Sequence, residues 1–263
     1  MASNAVRGAL SGEAYFAPDS MVRRVHREGV ILLGGGRALL LQIAHPAVAA
    51  GVAEHSSFQT RRTDRLLRTL RSTLAIVFGS REQALTAASR INTIHRSVTS
   101  EEYDARDPEL LLWVLSTLID TSLIIHERFV RKLRQAEAQA YYQDMRRIGA
   151  LLGIPQERLP ERLEEHQDYF ATMIASLQVS SAAKALAAEL FRPSPGLAPV
   201  MWLVKQLSAG LLPPRLRREF DLSWGPKREA TLTLASGVSR LLIPRIPAAM
   251  RAPPGFLLPA KVR

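Results

Sequence analysis

DPELLLWVLSTLIDTSLIIHERF, residues 107–129, is the stretch whose reading decides the fold. Asp107 can cap a helix, and Pro108 fits the first helical position, where a missing N–H costs nothing. Up to Ile125 the stretch is apolar nearly all round, so other elements have to cover every face of the helix. The pattern predicts one central, most buried helix over residues 108–135. Asp120 interrupts the apolar run, and a buried carboxylate there needs an arginine to meet or an imidazole to orient. His126 and Glu127 fall at the wetter end and read as surface.

Upstream, Ser80 and Gln83 form a capping-box pattern that opens a helix over 81–98. On it Leu85, Ala88, Ile91, His95 and Val98 recur at three- and four-residue steps, which points His95 where the aliphatic side chains point. Before it, Thr63-Asp64 caps a helix over 65–78 that stops at Gly79. Its apolar stripe is Leu66, Leu70, Thr73, Leu74 and Val77, and the wheel puts Arg61, Arg65 and Arg68 on the opposite, solvated side. Further back lies GGGRALLLQIAHPAVAAGVAEHSSF, residues 34–58. Leu39 stands where a dinucleotide fingerprint needs its third glycine, so the triplet reads as close helix packing. Pro46 ends or kinks the helix over 37–45, leaving His45 at a discontinuity, either facing a pocket or hydrogen-bonded in the core.

Downstream the periodicity gives helices over 136–152, 161–178, 180–191, 199–212 and 227–242, with residues 215–224 as a connection. No run alternates with the period of a strand for more than a few residues. The expectation is an all-α, single-domain protein with an extended N-terminal arm (1–20), a helical domain (21–243) and a proline-rich C-terminal tail (244–263).

The composition, 47% hydrophobic and 22% charged over 263 residues, is that of a globular chain with a substantial core. The absence of cysteine excludes disulfides, thiolate metal sites, iron–sulfur clusters and cysteine nucleophiles, and fits a cytoplasmic location. No signal-peptide pattern opens the chain. The apolar run over 30–53 has spanning length, yet it contains Arg37, Gln42, His45 and Pro46 and reads as a buried helix pair. A net charge of +11 calls for an anionic partner. The arginines are dispersed, with no zinc finger, RNP or basic-zipper pattern, so nucleic acid is not expected, while peripheral membrane contact through the basic surface stays open.

No nucleophile elbow, His-Glu-x-x-His helix, Walker loop or paired Glu-x-x-His is present. What remains, inward histidines, an apolar interior and arginines, suits haem b, where a histidine holds iron and arginines pair with propionates.

The same residues carry a family resemblance. Residues 34–58 together with DRLLRTL, VFGSREQAL, IHRSV, DPELLLWV, ERF, YYQDMRRIGALLGIP and LLPPRLRREFDLSW resemble the family of the latex clearing protein (rubber oxygenase) and the fungal oxygenase MpaB. The resemblance covers roughly residues 21–254. It implies a globin-like helical bundle with additional helices, haem b with its iron, and dioxygen-dependent oxidation of an apolar, isoprenoid- or lipid-like substrate, typically by cleaving carbon–carbon double bonds. His95 matches the family's proximal iron ligand. Arg65 and Thr69 match its distal Arg-x-x-Lys-Thr segment, in which Arg68 replaces the lysine. A guanidinium stays protonated and is a poor iron ligand, so this departure leaves the distal side open. Glu54 stands as the loose counterpart of the catalytic acid, and His45 as a further cofactor contact. Leu115 occupies a position where relatives are expected to carry histidine. Two other readings use the same features: a haem protein without oxygenase activity, such as a sensor or electron carrier, and a haem-free helical scaffold with basic anion-binding faces.

Overall fold

In the computed structural model, which describes residues 13–55, 62–100, 103–192, 196 and 198–259 and leaves out the side chains of 55 and 62–67, thirteen α-helices follow one another. They are α1 (Met21–His26), α2 (Gly35–Ala44), α3 (Pro46–His55), α4 (Arg62–Phe78), α5 (Arg81–Arg96), α6 (Pro108–Phe129) and α7 (Gln135–Leu151), followed by α8 (Leu163–Ser176), α9 (Ser181–Leu190), α10 (Ala198–Leu211), α11 (Pro214–Glu219), α12 (Pro226–Leu242) and α13 (Ala248–Arg251). Among the described residues extended pairing is limited to two isolated bridges, Ala14 with Ser80 and Thr99 with Asp104. The protein is all-α.

α6 is central because its apolar surface faces three ways. Leu111, Leu112, Leu115 and Ile119 join the core formed with α1, α4, α5 and α7. Leu110 and Trp113 join a second core with α2, α3 and α9, and Ile125 and Phe129 a third with α10 and α12. α6 has the length and hydropathy of a membrane-crossing helix, and its faces are covered by protein.

The helix stops at Phe129, six residues before the periodicity ends it. The Glu137 carboxylate accepts from both Arg131 Nη atoms (2.8 and 2.9 Å) and from the Arg134 backbone N–H (3.0 Å), starting α7 with a capping box whose first residue is arginine. His126, read as surface, is buried, and its Nδ1–H donates to the Arg131 carbonyl at 2.8 Å, closing the turn. The 215–224 connection contains the short helix α11.

Two glycines of the triplet pack as expected, and Gly35 between them faces open space. A Cβ on Gly34 would stand 2.5 Å from Thr121 Cγ2 of α6, and one on Gly36 would collide with Ser208 of α10. Pro46 turns the chain sharply: α2 and α3 meet at 105°, with His45 extended between them (φ −77°, ψ 122°). The proline-rich tail returns to the start of the domain, where Arg251 pairs with Glu28 at 2.5 Å and Leu257 enters the first core.

Candidate functional site

α4 and α5 form a helical hairpin about the Gly79–Ser80 turn, fixed by the reciprocal Ser80–Gln83 capping box. Arg65 and His95 lie about equally far from that turn, roughly 20 Å at a rise of about 1.5 Å per residue, so antiparallel packing sets them level. His95 is half-buried in the last turn of α5. Burial is the single influence on its ring, holding the pKa below the ordinary histidine value. The imidazole is therefore neutral at pH 7 and keeps a lone pair for a metal.

The inward stripe of α5 is Ala84, Ala87, Ala88 and Ile91 leading to His95. Leu85, assigned to that stripe from its spacing, is 45% exposed, because the alanines pack closest and rotate the helix toward themselves. On α4, Arg68 and Thr69 are exposed, as the helical wheel indicates for Arg68. The Arg65 side chain lies outside the described residues.

The other two candidates sit at the ends of α3. His45 precedes its first turn, half-buried, with Nδ1 buried and without a hydrogen-bond partner among the described residues. Desolvation lowers its pKa, partly opposed by the Asp107 carboxylate at the start of α6. Glu54 is exposed in the last turn. Between α5 and α6, the Tyr103 ring packs against Gly51 of α3. Leu115, in place of the histidine expected of relatives, is buried against Gly149 of α7.

Two polar centres lie elsewhere along α6. Arg37 of α2 is 1% exposed and donates to the Leu211 carbonyl (2.7 Å), Thr121 Oγ1 (2.7 Å) and Asp120 Oδ2 (2.6 Å). Asp120 thus meets an arginine, one of the two outcomes its sequence context allows. Desolvation lowers the Arg37 pKa, against the pull of Asp120. Beyond Arg37 opens a cleft of about 690 Å³ whose charged lining includes Arg128, Arg217, Arg240, Glu127 and Glu229. None of the candidates His95, His45, Glu54, Arg68 or Thr69 lines it. Arg217 is committed to the fold, donating to the Gly210 and Leu212 carbonyls and stacking 5.0 Å from the Trp224 ring centroid.

The second centre is His166 of α8, buried between the rings of Tyr142 and Phe170, with neither ring nitrogen hydrogen-bonded among the described residues. Burial pushes its pKa down to about 4. The sequence marked Asp120 but not its partner; Arg37, a lone cation inside an apolar run, was the available signal.

No cluster of three or more metal-ligating side chains occurs among the described residues, so a polydentate protein metal site is not formed by them. Haem would make a smaller demand on the protein, one axial nitrogen, and the half-buried His95 ring, its pKa lowered by desolvation, is of the kind that could supply it. The basic residues of α4 are of the kind that pairs with propionates.

The family model for the catalytic domain of the ER-bound oxygenases mpaB/B′ and the rubber oxygenase matches residues 22–241. Two uncharacterised mycobacterial proteins, one from Mycobacterium bovis and one from Mycobacterium tuberculosis, are each 27% identical over 222 residues, spanning 80% of this chain and 87% of their own length. No solved structure matches the chain.

Proposed function

The chain belongs to the family of the mpaB/B′ and rubber oxygenase catalytic domains, and from that premise we propose that it is a haem b-dependent oxygenase that uses dioxygen on an apolar, isoprenoid- or lipid-like substrate. The observation that carries the reading is His95, a neutral imidazole at the open end of the α4–α5 hairpin, level with the Arg65–Thr69 segment. His95 would hold the iron, and haem, when bound, would supply the redox-active centre that lets dioxygen react with a closed-shell apolar molecule.

The chain's own groups then have separable tasks. Desolvation keeps His95 free of a proton so that its nitrogen can coordinate. Arg65 and Thr69 would be the hydrogen-bond donors to dioxygen and to the negative charge that develops on it. Arg68 stays protonated and serves as a cation, which excludes the ligand role of the lysine it replaces. Glu54 would be the acid of the reaction, and His45, near enough to the Asp107 carboxylate to feel its charge, would contact the cofactor.

The test is an absorption spectrum of the purified full chain supplied with haem, for wild type and His95→Ala. A Soret band is expected in the wild type and its loss or displacement in the variant, with unchanged far-UV circular dichroism. A wild-type protein without a Soret band overturns the proposal.

A further inference from the structure

Of the large hydrophobic side chains that the described residues expose, all but Leu85 and Ile94 lie between Val200 and Phe256. They are ordered. α12 buries one stripe, Leu232 and Ser236 followed by half-buried Ser239 and Ile243. Leu234, Val238, Leu241 and Leu242, spaced four, three and one residues apart, form a second apolar stripe on the far side of the helix, facing solvent. Neighbouring α10 exposes Trp202 (64%) and Leu203, and the tail adds Met250 (77%) and Phe256. A surface helix that must bury one face has no folding reason for a second apolar face, and apolar surface of this extent marks a docking site.

The charges around it select the occupant. No Asp or Glu follows Glu229, while Arg240 and Arg245 do, and around α10 Lys205 is the one charged residue between Arg192 and Arg215; Arg251 is taken up by Glu28. A second copy of the chain would set like charges against each other across the interface. An anionic bilayer complements both features at once: apolar side chains and an indole enter the headgroup boundary while arginines meet lipid phosphates. We propose that the α10–α12 face with the tail helix α13 is a membrane-docking surface that seats the protein peripherally on anionic lipid. The proposal is independent of the haem reading.

Trp202 provides the measurement, since Trp113 is fully buried and Trp224 is held by Glu229 and Arg217. Full-length protein is mixed with vesicles of phosphatidylcholine alone or with phosphatidylglycerol. Expected are sedimentation with the anionic vesicles, a blue shift of Trp202 emission that Trp202→Phe removes, and weakening as salt screens the charges. Leu234→Ser/Leu241→Ser/Met250→Ser changes exposed positions only and is expected to abolish the shift with circular dichroism unchanged. Arg240→Glu/Arg245→Glu is expected to weaken partitioning by roughly twentyfold or more, at about fivefold per cation. Equal partitioning into both vesicle types, or binding that survives the triple-serine variant, overturns the proposal. So does a lipid-free dimer that the triple-serine variant converts to monomer.

Discussion

At the scale of single residues, the chain keeps a few polar groups in its interior, and each has a definite cost. Asp120→Asn leaves the Arg37 guanidinium buried without its counter-ion, although the Leu211 carbonyl and Thr121 still accept from it. Breaking one partner of a buried pair costs about 3 kcal/mol, an upper figure here because Asp120 is partly exposed. A urea titration reads it as a lowered midpoint with an unchanged slope. His166 sets an acid limit. Its folded pKa, about 4, lies below the unfolded value near 6.5, so between these the unfolded chain binds more protons. Its contribution to stability is therefore flat above about pH 6.5 and falls below it, by up to about 1.4 kcal/mol per pH unit, and His26, also held down at about 4 by burial, adds a decline of the same sign. Thermal melts from pH 7.5 to 4.5 should show that decline, shallower in His166→Leu. The sequence identified His95 and Asp120 as inward-facing because one titratable group in an apolar stripe is visible in the spacing. It misplaced His126, since the bond that buries that ring goes to a backbone carbonyl five residues on, which carries no residue-type signal.

At the scale of elements, two of the three helix starts read from cap chemistry are where the sequence puts them, Ser80 opening α5 and Asp107 opening α6, whereas α4 begins at Arg62, ahead of the Thr63-Asp64 pair expected to cap it. Ends were less legible. α6 stops early because Glu137 draws Arg131 and Arg134 together, and nothing in the apolar period of α6 announces that. The triplet glycines act through neighbours distant in the chain. Gly36→Ala places a methyl against Ser208, whose hydroxyl is already bonded to the Val204 carbonyl at 2.7 Å. α2 and α10 must then separate, with an expected loss of about 1–3 kcal/mol, read by chemical denaturation. Gly35→Ala is the control, because a Cβ there meets nothing within 4 Å.

At the scale of the molecule, the tail ties the end of the chain to its beginning. Truncation after Pro247 removes the Arg251–Glu28 pair and takes Leu257 out of the first core. Burying one leucine contributes about 2 kcal/mol, so the truncated chain should unfold several degrees lower with its helical content nearly intact. The tail sequence shows prolines and an apolar–basic mixture, but which apolar residues return to the core is set by a surface that includes α4, more than a hundred and seventy residues away. Leu257 is buried while Phe256 beside it is 54% exposed.

By itself, the sequence determined the helical class, the central place of α6, the kink at Pro46 and the resemblance that the family match bears out, because all of these follow from local spacing, cap chemistry and short motifs. Only the tertiary structure decided that Arg37 is the partner of Asp120 and that His126 is buried. It alone showed that α12 carries an apolar face exposed among the described residues. The reason is physical: periodicity says which side chains share a helix face, while burial depends on what the rest of the chain lays against that face.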